Sequence, residues 1–337
     1  MDRREKYIGL MCAAAIGLAG PALSLPLTVV NPGFEDITGE TPQFEFTFGP
    51  LNGWDLYNPQ FNSGVFIGTL TPVEADPVGD PGVYINFTDG AAEGDRLGIA
   101  FLSRADYLAG NQGEFGVVQT LGDALAPNTR YTLSVEIGNI ASGQSQGFGF
   151  FNLAGFPGYR VDLLAGGVPI ASDFNTLAGS IPDGAWATSS FNFTTGTSLI
   201  VEGQQRIGQA LGIRLVNLNV PDLTNTDTTN ADLEVDFDQV ALLATPALPG
   251  DTDGDGDIDD ADLGTSFANY TGPVGAAGGK TFADGDTDGD GDIDDSDLGT
   301  TFSGYTGPLS PTSVPEPGAL ALIALGGLIM LRRRRSI

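Results

Sequence analysis

The chain has 337 residues, 43 acidic and 14 basic, for a formal net charge of −29. That balance excludes nucleic acid as a partner, because phosphate binding needs a basic surface; it suits an extracellular protein or a cation binder. Histidine is absent, which removes the commonest general base and most zinc sites, and one cysteine, Cys12, excludes a disulfide framework.

Arg3, Arg4 and Lys6 precede an apolar stretch from Tyr7 to Leu23, and Ala22-Leu23-Ser24 supplies small residues for cleavage. Residues 1–24 read as a secretory signal peptide, with Pro21 placed to favour processing. Cys12 leaves with it.

Residues 25–246 show alternation rather than a helical period. Tyr131, Leu133, Val135 and Ile137 point one way with Thr132, Ser134 and Glu136 between them, and Phe191 and Phe193 alternate with Ser190, Asn192 and Thr194. Val235, Phe237 and Gln239 alternate less cleanly with Asp236, Asp238 and Val240. Turns such as Ala126-Pro127-Asn128 and Pro182-Asp183-Gly184 separate these segments, which is the pattern of an all-β sandwich. A linker at residues 247–250 ends it.

Within that stretch, Val29-Val30-Asn31-Pro32-Gly33-Phe34-Glu35, Gly53-Trp54 and Val235-Asp236-Phe237-Asp238-Gln239-Val240 follow one another in an order similar to jelly-roll carbohydrate-binding modules of the galactose-binding-like fold. The resemblance implies a glycan-binding sandwich with extracellular polysaccharide as partner. It also implies that Glu35 and Asp238 lie near each other and hold a structural calcium; the alternative is two solvated carboxylates at strand ends. Sugar platforms need exposed aromatics, and Trp54 and Trp186 sit in strand contexts that favour core packing instead. No carboxylate pair stands out as catalytic, and one sandwich leaves no room for a separate catalytic domain. The expectation is that the protein is not an enzyme.

Residues 251–308 hold two nearly identical acidic repeats. Asp251, Asp253, Asp255, Asp257, Asp259 and Asp262 occupy positions 1, 3, 5, 7, 9 and 12 of the first; Asp286, Asp288, Asp290, Asp292, Asp294 and Asp297 do so in the second. Gly256 and Gly291 stand at position 6 and Ile258 and Ile293 at position 8, the layout of a calcium loop in which position 7 contributes its carbonyl. Leu263, Phe267 and Tyr270, and again Leu298, Phe302 and Tyr305, share a helical face behind each loop. Aspartate at position 12 and a single following helix make the region resemble the dockerin type I repeat. That resemblance implies Ca2+ as cofactor and a cohesin-like partner, although the basic and bulky residues that grip cohesin are missing.

After a linker at 309–313, Val314-Pro315-Glu316-Pro317-Gly318 leads into an apolar run from Ala319 to Leu331 and the cluster Arg332 to Arg335. A helix from Gly318 to Leu331 would span about 21 Å, short of a ~30 Å hydrocarbon core. The order of parts in 314–337 closely resembles the PEP-CTERM sorting signal. By that resemblance, an exosortase recognises Pro315, Glu316 and Pro317, and the helix anchors the chain in the membrane until processing.

The expected architecture is mainly β: a jelly-roll β-sandwich, a small calcium-loop/helix region and a C-terminal transmembrane sorting helix. The expected role is a secreted cell-surface or extracellular-matrix component that binds glycan or serves structurally. The alternative is a dockerin-like adaptor or a component of a polysaccharide-degrading system.

Overall fold

The computed structural model describes residues 24–72, 86–145, 147–275 and 278–308. The leader, the sorting motif and the apolar C-terminal run lie outside the described residues. Among the described residues no helix is long and apolar enough to cross a membrane.

The fold is a sandwich of antiparallel sheets. Its strands in chain order begin with β1 (Leu25–Pro26), β2 (Thr41–Gln43), β3 (Phe46–Phe48), β4 (Asp55–Tyr57), β5 (Phe66–Leu70) and β6 (Leu97–Leu102). Next come β7 (Phe115–Ala124), β8 (Thr129–Asn139), β9 (Gly143–Ser145), β10 (Gly149–Phe151), β11 (Tyr159–Ala165) and β12 (Val168–Phe174). The last are β13 (Ala185–Thr194), β14 (Ile200–Val201), β15 (Gln204–Gln205), β16 (Ala210–Asn217) and β17 (Leu233–Pro246). The larger sheet runs β13-β8-β17-β6-β5-β3-β2, with β1 paired to β17, and the smaller runs β12-β11-β16-β7-β4. Two hairpins, β9–β10 and β14–β15, stand apart from both sheets.

The core lies between the two sheets. Tyr131, Leu133, Val135 and Ile137 of β8 face Val161, Leu163, Ile213 and Leu215 of the smaller sheet, all buried. The broken alternation in the last strand has a cause: β17 carries a bulge between Asp238 and Ala241, where Gln239 takes φ 47°. The extra residue lets both Phe237 and Val240 reach the core and throws Gln239 outward. Phe237→Ala is expected to cost about 3–5 kcal/mol, readable as a lowered denaturation midpoint at unchanged slope.

The larger sheet is covered on its other face as well. A second apolar cluster of Leu70, Phe87, Leu97, Ile99, Ile140 and Leu153 packs there, joined by Phe46, Phe66, Phe101, Phe151 and Trp186. Both faces of β17 are therefore dry near its start, and Glu234, Asp236 and Asp238 are buried.

Behind the sandwich, helices α1 (Asp260–Ala268) and α2 (Asp295–Gly304) each follow one acidic loop. The two repeats pair reciprocally. Thr271 N donates to Ile293 O and Thr306 N to Ile258 O, both at 2.8 Å. Tyr270 Oη donates to Asp295 and Tyr305 Oη to Asp260. Ile258 and Ile293 are buried, and Phe267 meets Phe302 edge-on across the pair. This unit lies against the Thr129/Pro246 end of β8 and β17, with Ala247 N donating to Asn128 O across the linker.

Candidate active site and acidic loops

A cavity of about 240 Å³ opens into the second apolar cluster. Six phenylalanines line it: Phe46 and Phe48 from β3, Phe66 from β5, Phe101 from β6, and Phe148 and Phe151 from the β9–β10 hairpin. Their rings meet edge-on or tilted, as in Phe46–Phe148 at 5.7 Å and Phe48–Phe148 at 6.0 Å. Phe44, at the tip between β2 and β3, touches Phe148 from outside, and Gly147 leaves the space that the Phe44 ring fills. Two hairpin tips thus close over the cavity.

Two carboxyl side chains line this apolar space, Glu45 and Glu234. Glu234 enters from the central strand β17, with Asp236 two residues on and so on the same strand face. Neither Asp236 oxygen, nor Glu234 Oε1, receives a hydrogen bond from another protein donor. Burial pushes the Glu234 carboxyl up to about 8, and burial together with the neighbouring Glu234 raises Asp236 well above the usual carboxylate range. Burial thus favours the protonated form of Glu234, which faces an apolar, aromatic space. Such an arrangement can donate a proton to a bound apolar molecule and stabilise a developing cation by the ring faces.

Neither Glu45 nor Glu234 was legible as a site residue in the sequence, because the cavity-lining phenylalanines come from four separate segments of the chain. A signal was present: three acidic residues, Glu234, Asp236 and Asp238, alternate through one strand, and two phenylalanine-rich segments at 44–48 and 148–151 precede it.

Glu35 and Asp238 both grip the loop at 93–96. Glu35 Oε1 accepts from Asp95 N and Arg96 N at 2.7 Å each, and Asp238 accepts from Glu93 N and Gln239 N at 2.8 Å. Trp54 is buried, stacked on Phe34 at 5.5 Å, with Nε1 donating to Asn31 O. Trp186 is half-buried, stacked on Phe87 at 4.4 Å. The core placement expected of the tryptophans holds for Trp54, and Trp186 forms part of the wall behind the cavity.

Among the described residues, carboxylate trios with ligand atoms within 4.8 Å of one another all fall in the repeats. They are Asp251, Asp253 and Asp255; Asp257, Asp259 and Asp262; Asp286, Asp288 and Asp290; and Asp292, Asp294 and Asp297. Within each loop the first aspartate closes the turn: Asp286 accepts from Gly289 N and Gly291 N, as Asp251 does from Gly254 N and Gly256 N. Asp259 and Asp294 cap the helices behind them. Asp292 is only 7% exposed, yet its Oδ1 has no hydrogen-bond partner. An all-oxygen donor set with an orphaned buried carboxylate oxygen fits a hard divalent cation such as calcium.

Comparisons with known proteins bear on the sandwich and on the C-terminal sorting segment. The PEP-CTERM protein-sorting motif matches residues 313–335, which makes this an exported surface protein destined for exosortase processing. No curated protein sequence matches the chain at a significant level. A cyclase from Fischerella sp. TAU is 32% identical over 67% of this chain and 99% of its own, with a TM-score of 0.48. A Fischerella cyclase solved with (3Z)-3-(1-methyl-2-pyrrolidinylidene)-3H-indole is 31% identical over 67% of this chain and 100% of its own, TM-score 0.49. A xylan-binding domain from Paenibacillus barcinonensis is 12% identical over 68% of this chain and 98% of its own, TM-score 0.31. The HpiC1 cyclase family matches residues 25–243, nearly the whole sandwich. That match overturns the expectation of a non-catalytic protein: the sandwich expected to leave no room for a catalytic domain is itself of a catalytic kind. The chain belongs to the HpiC1-like cyclase family.

Proposed function

We propose that the sandwich catalyses an acid-initiated ring closure on an apolar aromatic substrate, with Glu234 as the proton donor. The observation that carries this reading is a buried carboxyl opening into a cavity walled by six phenylalanines. Proton transfer from the Glu234 carboxyl to an unsaturated or basic atom of the substrate would generate a cation. A neighbouring π bond of the same molecule then attacks it, forming the ring bond, and loss of a proton back to the carboxylate restores the acid. Ring faces stabilise such a cation by roughly 0.5–2 kcal/mol each, and exclusion of water prevents its capture. Asp236, behind Glu234, opposes ionisation of the pair. A cyclase from Fischerella sp. TAU has been crystallised with 4-(1H-indol-3-yl)butan-2-one, which makes indoles bearing an unsaturated side chain the class to try first. Incubation of the purified protein with a panel of them, followed by mass spectrometry for an isomeric cyclic product, tests the reading. Absence of any isomerisation across the panel, with binding demonstrated, would count against it.

We propose in addition that each acidic loop binds one calcium ion, the first through Asp251, Asp253, Asp255, Asp257, Asp259 and Asp262 and the second through Asp286, Asp288, Asp290, Asp292, Asp294 and Asp297. Support comes from the trios and from the orphaned Oδ1 of Asp292. Asp292→Asn keeps the shape and removes one charge from the second loop. Calorimetric titration is expected to show two calcium sites in the parent and one weakened about tenfold or more in the variant. Equal affinities in the two proteins would remove the Asp292 side chain from the site and leave position 7 with its carbonyl alone.

A further inference from the structure

The two acidic loops, nearly identical in sequence, are used differently by the sandwich. Among the described residues the first meets it through a half-buried side chain, Arg130, whose Nη1 donates to Gly254 O at 2.9 Å. The second is held main chain to main chain. Thr197 N donates to Thr287 O at 3.3 Å, Ser198 N to Asp288 O at 2.9 Å and Ile200 N to Gly289 O at 3.3 Å. Ser198 Oγ adds a bond to Asp288 O at 2.6 Å. The approach is so close that only glycine fits on either side. A Cβ on Gly196 would lie 2.5 Å from Thr287 O, and one on Gly289 would overlap Ser198 O.

The segment engaged this way, residues 195–209, joins β13 to β16 and so links the two sheets at one pole. It is also tied back to the sandwich by Asn128 N to Gly196 O and Gly208 N to Leu125 O. Asp288 belongs to both arrangements. Its carbonyl accepts from Ser198, while its side chain belongs to the trio with Asp286 and Asp290 and leaves Oδ1 unpartnered. Six like charges in one short loop repel each other when no cation is present, and a loop that opens takes its ladder carbonyls with it.

We propose that calcium in the second acidic loop fastens the 195–209 segment of the sandwich, so that metal occupancy of the repeats governs local opening at that pole. The inference rests on the calcium reading of the loops. Coupling of this kind is reciprocal: a sandwich that holds 195–209 in place also tightens the second site relative to the first. Glu234 and Pro246 are at opposite ends of β17, roughly 40 Å of strand apart at ~3.3 Å per residue, so the cavity hairpin β9–β10 lies outside the coupled region.

Amide hydrogen exchange on the intact protein, in calcium and in EDTA, tests this. Calcium is expected to slow exchange at Thr197, Ser198 and Ile200 by about tenfold or more, together with residues 286–297, and to leave the Gly143–Phe151 hairpin unchanged. Gly196→Val, which lies outside the acidic loop, is expected to abolish the slowing at 197–200 while 286–297 still responds. Ser198→Ala is expected to reduce it. Slowing confined to 286–297 in the parent protein would overturn the coupling while leaving the calcium site standing. A protein in which neither segment responds has no calcium site in that loop, and the proposal falls with it.

Discussion

If the proposed acid role is right, replacing Glu234 by glutamine is expected to lower turnover of whichever panel compound the protein cyclises by about 10²–10⁴-fold while leaving its affinity for that compound within about threefold. Glutamine preserves the volume at the cavity wall and still offers a hydrogen bond, so the aromatic walls keep their shape. What it cannot do is give up a proton and take one back. Turnover kinetics and calorimetry on the same preparation read the two quantities separately, and a variant that keeps full turnover would remove Glu234 from the chemistry. The same substitution should change stability in a pH-dependent way. Glu234 has its carboxyl pushed up to about 8 by burial, so the folded state holds a proton that the unfolded chain releases near its ordinary value. The contribution of this group to stability is therefore greatest at acidic pH and is lost as pH rises towards and through about 8. Glu234→Gln has no proton to lose at that position and is expected to be more stable than the parent at pH 9 by a few kcal/mol. Denaturant midpoints at pH 6 and pH 9 would show it, and parallel pH dependence in both proteins would contradict it.

Removal of calcium is expected to melt the repeats without unfolding the sandwich. The helices behind the loops have 9 and 10 residues, below the ~12–15 at which isolated helices become even marginal in water. Each is capped by an aspartate of its own loop, Asp259 or Asp294, so helix and loop form or fail together. The core between the sheets, by contrast, contains no residue of the repeats. Chelation should reduce the helical circular dichroism signal, leaving the short helices Arg104–Leu108 and Thr226–Thr229, and preserve the β signal, and millimolar calcium should restore the former. An unchanged spectrum would mean that the loops fold by their own contacts, such as the paired Thr271–Ile293 and Thr306–Ile258 bonds.

The sandwich was legible because period-2 alternation is a local property of each strand. Tyr131 to Ile137 alternate in sequence and alternate in burial, as a half-covered strand requires. The β17 alternation misled for a physical reason. Asp236 and Asp238 read as the wet partners of Val235 and Phe237, yet both are fully buried, because Phe87, Phe151 and Trp186 arrive from distant segments to cover that face. A strand buried on both sides by long-range packing looks, in sequence, like a strand with one face in water. The cavity was hidden by the same non-locality: its six phenylalanines come from β3, β5, β6 and the β9–β10 hairpin. The acidic loops were the opposite case, since their spacing is complete within twelve residues each. Their seat on the sandwich was not visible, because it depends on Gly196 and Ser198 meeting Thr287 to Gly289 across about 90 residues of chain.

The pH dependence of turnover in the unaltered protein tests the central claim most directly. A proton donor held at about 8 gives a rate that is flat below neutrality and falls through about pH 8 as the carboxyl ionises. A rate that instead rises with pH through the carboxylate range would mean that the buried carboxyl acts as a base, and the acid-initiated account would be wrong.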